Sequence, residues 1–172
     1  MAEPLLDTLK GLHADNFGWA LACCAWQRSM AEDVLQESYL RVASGQARYS
    51  GQSAIRTWFF GVIKRVAAEQ QRSQRRRALL TLRLVNRDEN DGEESGGCAG
   101  NAVYREQSAR QLQRALMQLA SRQREVLHLV FYGELTLEET AEALQISLGS
   151  ARTHYHRGKQ RLAELLQEVS DE

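Results

Sequence analysis

Proline is nearly absent: the 172 residues hold one, Pro4, at a position where a helix can begin. No segment alternates apolar and polar residues long enough to make a strand, so the pattern predicts an all-α protein. Cysteine is scarce as well. Cys23 and Cys24 are adjacent and Cys98 sits in a glycine-rich stretch, which makes neither a disulfide framework nor a zinc spacing and suits a reducing compartment. The adjacent pair reads as packing, since a thiol behaves as a small hydrophobe. No apolar run approaches the roughly 18 residues that cross a bilayer. The first residues lack the basic flank and apolar core of a signal peptide, so a cytoplasmic protein without membrane insertion is expected. The four histidines, His13, His128, His154 and His156, have no metal-site spacing, and no phosphate loop or nucleophile motif occurs. His128 reads as a partly buried structural residue. The expectation is no enzyme, no cofactor, no metal and no small-molecule substrate.

What is present is charge, balanced in total and uneven in place. Twenty-two basic residues face twenty-two acidic ones. Residues 47 to 87 hold ten basic residues against one acidic, whereas residues 88 to 101 hold five acidic and none basic. A polyanion such as nucleic acid would meet the first of these segments. The second, DENDGEESGGCAGN, has almost nothing to bury and reads as a flexible linker. Its ends would average about 20 Å apart as a coil and reach roughly 50 Å extended. Two helical domains, residues 1–87 and 102–172, are thus expected to be tethered without a fixed mutual orientation.

In the first block Ser29 and Glu32 form a capping-box signature, followed by Ala31, Val34, Leu35, Ser38, Tyr39 and Val42 at helical spacing. A second helix carries Trp58, Phe59, Val62, Ile63, Val66 and Ala67 on one stripe. Its other side is basic: Arg65, Arg72 and Arg76 lie near one face with Lys64, Arg75 and Arg77 beside them. Six like charges on one segment repel, which argues for an anionic ligand that offsets the cost, although a solvated helix end is the plainer alternative. Trp58, Phe59 and Phe60 exceed what one core stripe needs, and an aromatic beside cations can stack on an unpaired base; filling the core is the competing role.

The second block begins with a helix bearing Leu112, Ala115, Leu116 and Leu119, then one expected to bury Val126, Leu127, Val130 and Phe131. Thr136 and Glu139 make another capping box, and Leu137, Thr140, Ala141 and Leu144 face inward. Gln145-Ile146-Ser147 fits only a sharp turn, with Ser147 as the next cap. A last helix carries Leu148, Ala151, Tyr155, Gly158, Leu162, Leu165, Leu166 and Val169 on one stripe. A short helix, a three-residue turn and a longer helix, with small Ala141 and Ala151 at the crossing, make a helix-turn-helix. Opposite the stripe stand Gly149, Ser150, Arg152, Thr153, His156 and Arg157, able to meet base edges or phosphates. Ser147, Gly149 and Ser150 leave amides at the helix start for a phosphate.

Together the halves resemble the extracytoplasmic-function sigma subunits of bacterial RNA polymerase, within the sigma-70 family. AEDVLQESYLRV (31–42) resembles the core-binding helix, and TWFFGVIKRVAAEQQRSQRRR (57–77) resembles the segment that opens and reads the minus-ten element. LASRQREVLHLVFYGELTLEETAEAL (119–144) and SLGSARTHYHRGKQRL (147–162) resemble the domain that reads the minus-thirty-five element. The resemblance implies that Asp33, Gln36, Glu37 and Arg41 grip the clamp helices of the polymerase beta-prime subunit. It places Trp58, Arg65, Glu69, Arg72 and Arg76 in the minus-ten segment, and Arg152, Thr153, His156 and Arg157 on the recognition face. It implies core polymerase, promoter DNA and an anti-sigma factor as partners. Two departures stand out: Arg65 replaces an asparagine that many members use on a flipped-out base, and Ala151 replaces a branched residue. The competing readings are a stand-alone helix-turn-helix regulator that binds an operator as a dimer, and a protein-binding helical scaffold.

Overall fold

Caps and tight turns divide the chain into eight helices among the described residues. The computed structural model describes residues 2–84 and 102–170. The acidic stretch 88–101, with Cys98, lies outside them. The first half comprises α1 (Ala2–Gly11), α2 (His13–Cys23), α3 (Arg28–Ala43) and α4 (Ile55–Leu84). The second comprises α5 (Ala102–Gln118), α6 (Ser121–Phe131), α7 (Leu137–Leu144) and α8 (Leu148–Ser170). The all-helical expectation is met: no strand occurs among the described residues.

The stripe predicted on α3 is buried through Ala31, Val34, Leu35 and Val42, against Phe59, Val62, Ile63 and Val66 of α4 and Trp19 of α2. Trp19 donates its indole N–H to the Phe60 carbonyl at 3.0 Å, so it is enclosed without losing a hydrogen bond. Burying an apolar side chain of this size contributes roughly 1.5–3 kcal/mol. The α3 start differs from expectation. The cap position is Gln27, with no side-chain cap bond, and Glu32 pairs with Arg28 at 2.9 Å instead of returning to Ser29. A cation one turn back outcompetes a backbone amide for that carboxylate. Just before α3, Ala25 (φ 51°) and Trp26 (φ 66°) are both left-handed without being glycine. Such residues cost about 1–3 kcal/mol each and persist only where packing holds them.

In the second half the capping box is present as predicted: Glu139 N–H donates to Thr136 Oγ1 at 3.1 Å and Thr136 N–H to Glu139 Oε2 at 2.8 Å. Gln145 (φ 54°) turns the chain, and Ser147 Oγ accepts from the Ser150 amide at 3.1 Å. Gly158 is a close approach of α8 to α6; a Cβ there would stand 3.2 Å from both Gln123 Cβ and Leu127 Cδ1. One expected core residue is misplaced. Leu129 is buried, while Phe131 is 56% exposed and stacks on Tyr155. Phe131 falls 100° past Val130, off the stripe that Val126 and Leu129 define.

The two halves, expected without a fixed mutual orientation, are in contact in this structure. Val126, Leu129, Leu135, Ala143 and Leu144 of the second half share one core with Trp19, Phe60 and Ile63 of the first. The α4 and α7 backbones approach closely at Gly61, whose Cβ would lie 3.4 Å from the Ala143 carbonyl oxygen. Linker length bounds only how far the halves can part. Each half leaves an apolar face that it cannot cover itself, and the two faces meet.

Candidate nucleic-acid interface

The α8 face opposite the core is open. Ser147, Gly149, Arg152, Thr153, His156 and Arg157 are exposed and Ser150 is half-exposed. Arg152 makes only a 3.8 Å pairing with exposed Glu138, and Thr153 Oγ1 donates to the Gly149 carbonyl at 2.9 Å. Ala141 and Ala151 are both buried where the two helices cross. The helix-turn-helix geometry read from the sequence is therefore in place, with its polar face toward solvent.

On α4, Arg65, Arg72, Arg75 and Arg76 are exposed. Arg72, Arg75 and Arg76 line a shallow groove with Glu69, the single acidic side chain there among the described residues. Glu69 is already held: Arg41 Nη2 donates to it at 2.7 Å, which pulls its pKa below the usual carboxylate range. Arg41 also donates to Glu37 at 2.8 Å, so it stands between α3 and α4. Trp58 is half-buried against Tyr49, whereas Phe59 and Phe60 are fully enclosed. Of the three aromatics, only Trp58 has surface for a base; the other two fill the core.

Lys64 is placed differently from its neighbours. It donates to Glu125 of α6 at 2.6 Å, with side-chain exposures of 18% and 6%. Arg122 reaches the same carboxylate at 3.2 Å. This pair was not legible in the sequence, because its two charges lie on helices far apart in the chain.

On the far side of α3, Asp33 and Gln36 are exposed and Glu37 is half-exposed. Beside them runs an open groove of about 600 Å³ whose walls include Leu6, Phe17, Leu35, Gln36 and Leu40. Leu40 is 57% exposed. Its walls are tied together by buried Asn16, which donates to the Leu9 carbonyl at 3.0 Å and to Tyr39 Oη at 3.2 Å. The apolar part of this surface was missed, because Leu6 and Phe17 lie on other helices.

Among the described residues no group of His, Cys, Asp and Glu could hold a metal. His128 lies between Trp19 and Tyr132, and burial lowers its pKa to about 4, so it is neutral near pH 7. Cys23 and Cys24 are buried and burial raises both thiols, which leaves them packing residues with little thiolate.

A helix-turn-helix in one half, with an exposed cationic helix in the other, defines a DNA-binding protein. Known proteins make this specific. Residues 20–77 match the family model "Sigma-70 region 2" and residues 109–162 match "Sigma-70, region 4", together well over half the chain. The chain is 28% identical over 145 residues to the ECF RNA polymerase sigma factor SigX of Bacillus subtilis, covering 84% of this chain and 75% of that one. It is 28% identical over 170 residues to the RNA polymerase sigma factor CarQ of Myxococcus xanthus, covering 98% and 92%. In fold it resembles the sigma factor RpoE of Bartonella quintana, solved in complex with the anti-sigma factor NepR (TM-score 0.69, 20% identity, 94% and 97% covered). CnrH, solved with the cytosolic domain of CnrY, gives 0.63 at 17% identity over 95% and 88%. The chain belongs to the sigma-70 family of RNA polymerase sigma factors. Within it, the chain is an extracytoplasmic-function sigma factor and acts in transcription initiation, not as an enzyme. The match across residues 20–77 also removes the stand-alone regulator, which has no use for a region 2.

Proposed function

We propose that this sigma factor works in the cytoplasm through three surfaces of its own. Asp33, Gln36, Glu37 and Arg41, with the groove beside Leu40, engage the clamp helices of core polymerase. Trp58, Lys64, Arg65, Arg72, Arg75 and Arg76 hold the melted minus-ten strand, Trp58 by stacking and the cations through phosphates. Ser147, Gly149, Ser150, Arg152, Thr153, His156 and Arg157 read the upstream duplex in the major groove. Domain limits of 1–87 and 102–172 divide these roles. The observation that carries the reading is that duplex-type and strand-type surfaces occur on different halves, with an apolar and acidic surface on the back of the first. An anti-sigma factor is proposed as a further partner.

Closed against Glu125, Lys64 cannot serve DNA, so the proposed roles require the halves to part. The test is run-off transcription from a promoter pool with core polymerase, with and without this protein; new start sites are expected, and their absence refutes the roles. Arg157→Ala should weaken upstream-element binding about ten-fold while leaving core affinity unchanged. Loss of core binding in that variant would reverse the assignment.

A further inference from the structure

Trp26, on the strained turn after α2, meets α5, α6 and α8 of the second half around a cavity of about 300 Å³. Leu112, Leu116, Leu127, Phe131 and Leu162 supply apolar walls. Two donors in this lining lack acceptors: Trp26 Nε1 and Arg124 Nε are both buried with no hydrogen-bond partner. The remaining contact of Arg124 is a long 3.5 Å bond from Nη1 to the Met117 carbonyl. The nearest carboxylate in sequence, Glu125, is occupied by Lys64 and Arg122. Among the described residues of the lining, Arg124 is the only formally charged side chain. An N–H group enclosed without an acceptor is costly, and a cavity of this volume is at the small end of ligand sites.

We infer that this cavity binds a small apolar carboxylate, its tail among the leucines and its carboxylate accepting from Arg124 and Trp26. Bidentate acceptance by a planar carboxylate suits a guanidinium better than a neutral acceptor does. His128, neutral at pH 7, adds no second charge, so a monoanion matches the site. Because Trp26 comes from one half and the other walls from the second, the ligand binds only while the halves are closed. By mass action it shifts the population toward that state and away from the open one that the proposed polymerase and DNA roles require. The regulatory part therefore rests on those roles, whereas the binding site does not.

The test titrates the full chain with decanoate, below micelle formation, and with decanol as the same tail without charge. Saturable one-to-one binding of decanoate is expected, with decanol about ten-fold weaker or worse, since a charge-assisted bond is lost. Arg124→Met should bring decanoate down to the level of decanol, and Trp26→Phe should weaken it several-fold. Leu116→Trp, which fills the cavity while staying apolar, should abolish binding with helicity retained. Equal affinity for decanoate and decanol, no saturable binding, or unchanged binding in Leu116→Trp overturns the site. In run-off transcription decanoate should lower output from the wild type and not from Leu116→Trp. Specific binding with undiminished output overturns the closing role. Ordered binding by a chain that yields no start sites even without decanoate counts against the polymerase roles alone.

Discussion

The pair between Lys64 and Glu125 offers the sharpest handle on how the halves are held. Removing one member of a buried ion pair commonly costs about 3–5 kcal/mol, because the other charge is stranded. Here the loss should be smaller. Arg122 remains 3.2 Å from Glu125, and Lys64, at 18% exposure, sits near enough to the rim for its stem to carry the ammonium into water. Lys64→Met should therefore destabilise the closed arrangement by about 2 kcal/mol, roughly a 30-fold change in the closed-to-open ratio. The assay is a double-mutant cycle with Glu125→Leu, read by urea unfolding, with the radius of gyration followed by small-angle scattering. The coupling energy should be about 2 kcal/mol, nearly independent of salt because the pair is shielded. The single variants should be more expanded than the wild type. A coupling below about 0.5 kcal/mol, the range of exposed pairs, would refute the latch.

Three further outcomes are expected. Thr136→Ala should lose the reciprocal cap on α7 and about 1 kcal/mol of stability, seen as a fall of roughly 2–4 °C in thermal midpoint, while Thr136→Ser should not. Gly158→Ala should destabilise by about 1 kcal/mol, contrary to helix propensity, because the new Cβ meets Leu127 and Gln123 at 3.2 Å; a rise in midpoint would show that α6 and α8 can separate cheaply. His128 has a folded pKa of about 4 against an ordinary value near 6.5, so the unfolded chain takes up its proton first as pH falls. Its contribution is complete above pH 6.5 and declines toward pH 4 by up to about 3 kcal/mol, which melting curves of the wild type and His128→Phe should separate.

The elements were legible because their signals are local. The Thr136 and Glu139 cap, the turn at Gln145 to Ser147 and the stripe on α8 are all written within a few residues of where they act. The cap at Ser29 failed for an equally local reason, the competing cation at Arg28. What stayed hidden was set by contacts distant in sequence. Periodicity assigns Ile63 and Leu144 to inward faces, but no pattern within either half says that the faces meet each other. Glu125, Lys64 and the Arg41 to Glu69 pair belong to the same class, since a charge reveals its partner only once two helices are placed side by side.

Lys64 lies on the helix proposed to hold the melted strand and is also the residue that ties that helix to α6. One ammonium cannot serve both, so closing the halves and holding DNA draw on the same group. If the pair favours the closed state by about 2 kcal/mol, it lowers the open population about 30-fold, and any ligand that needs the open form binds about 30-fold more weakly than it would without the pair. A partner with high affinity for the separated halves overcomes that deficit, while DNA alone, offering weaker and salt-dependent phosphate contacts, does not. The helix-turn-helix face is exposed even in the closed state, but using it together with the α4 strand surface requires the latch to open first. Promoter binding by the isolated chain should therefore improve when Glu125 is replaced by leucine, since that change frees Lys64 and touches no proposed DNA contact; unchanged affinity would mean that the two states do not compete.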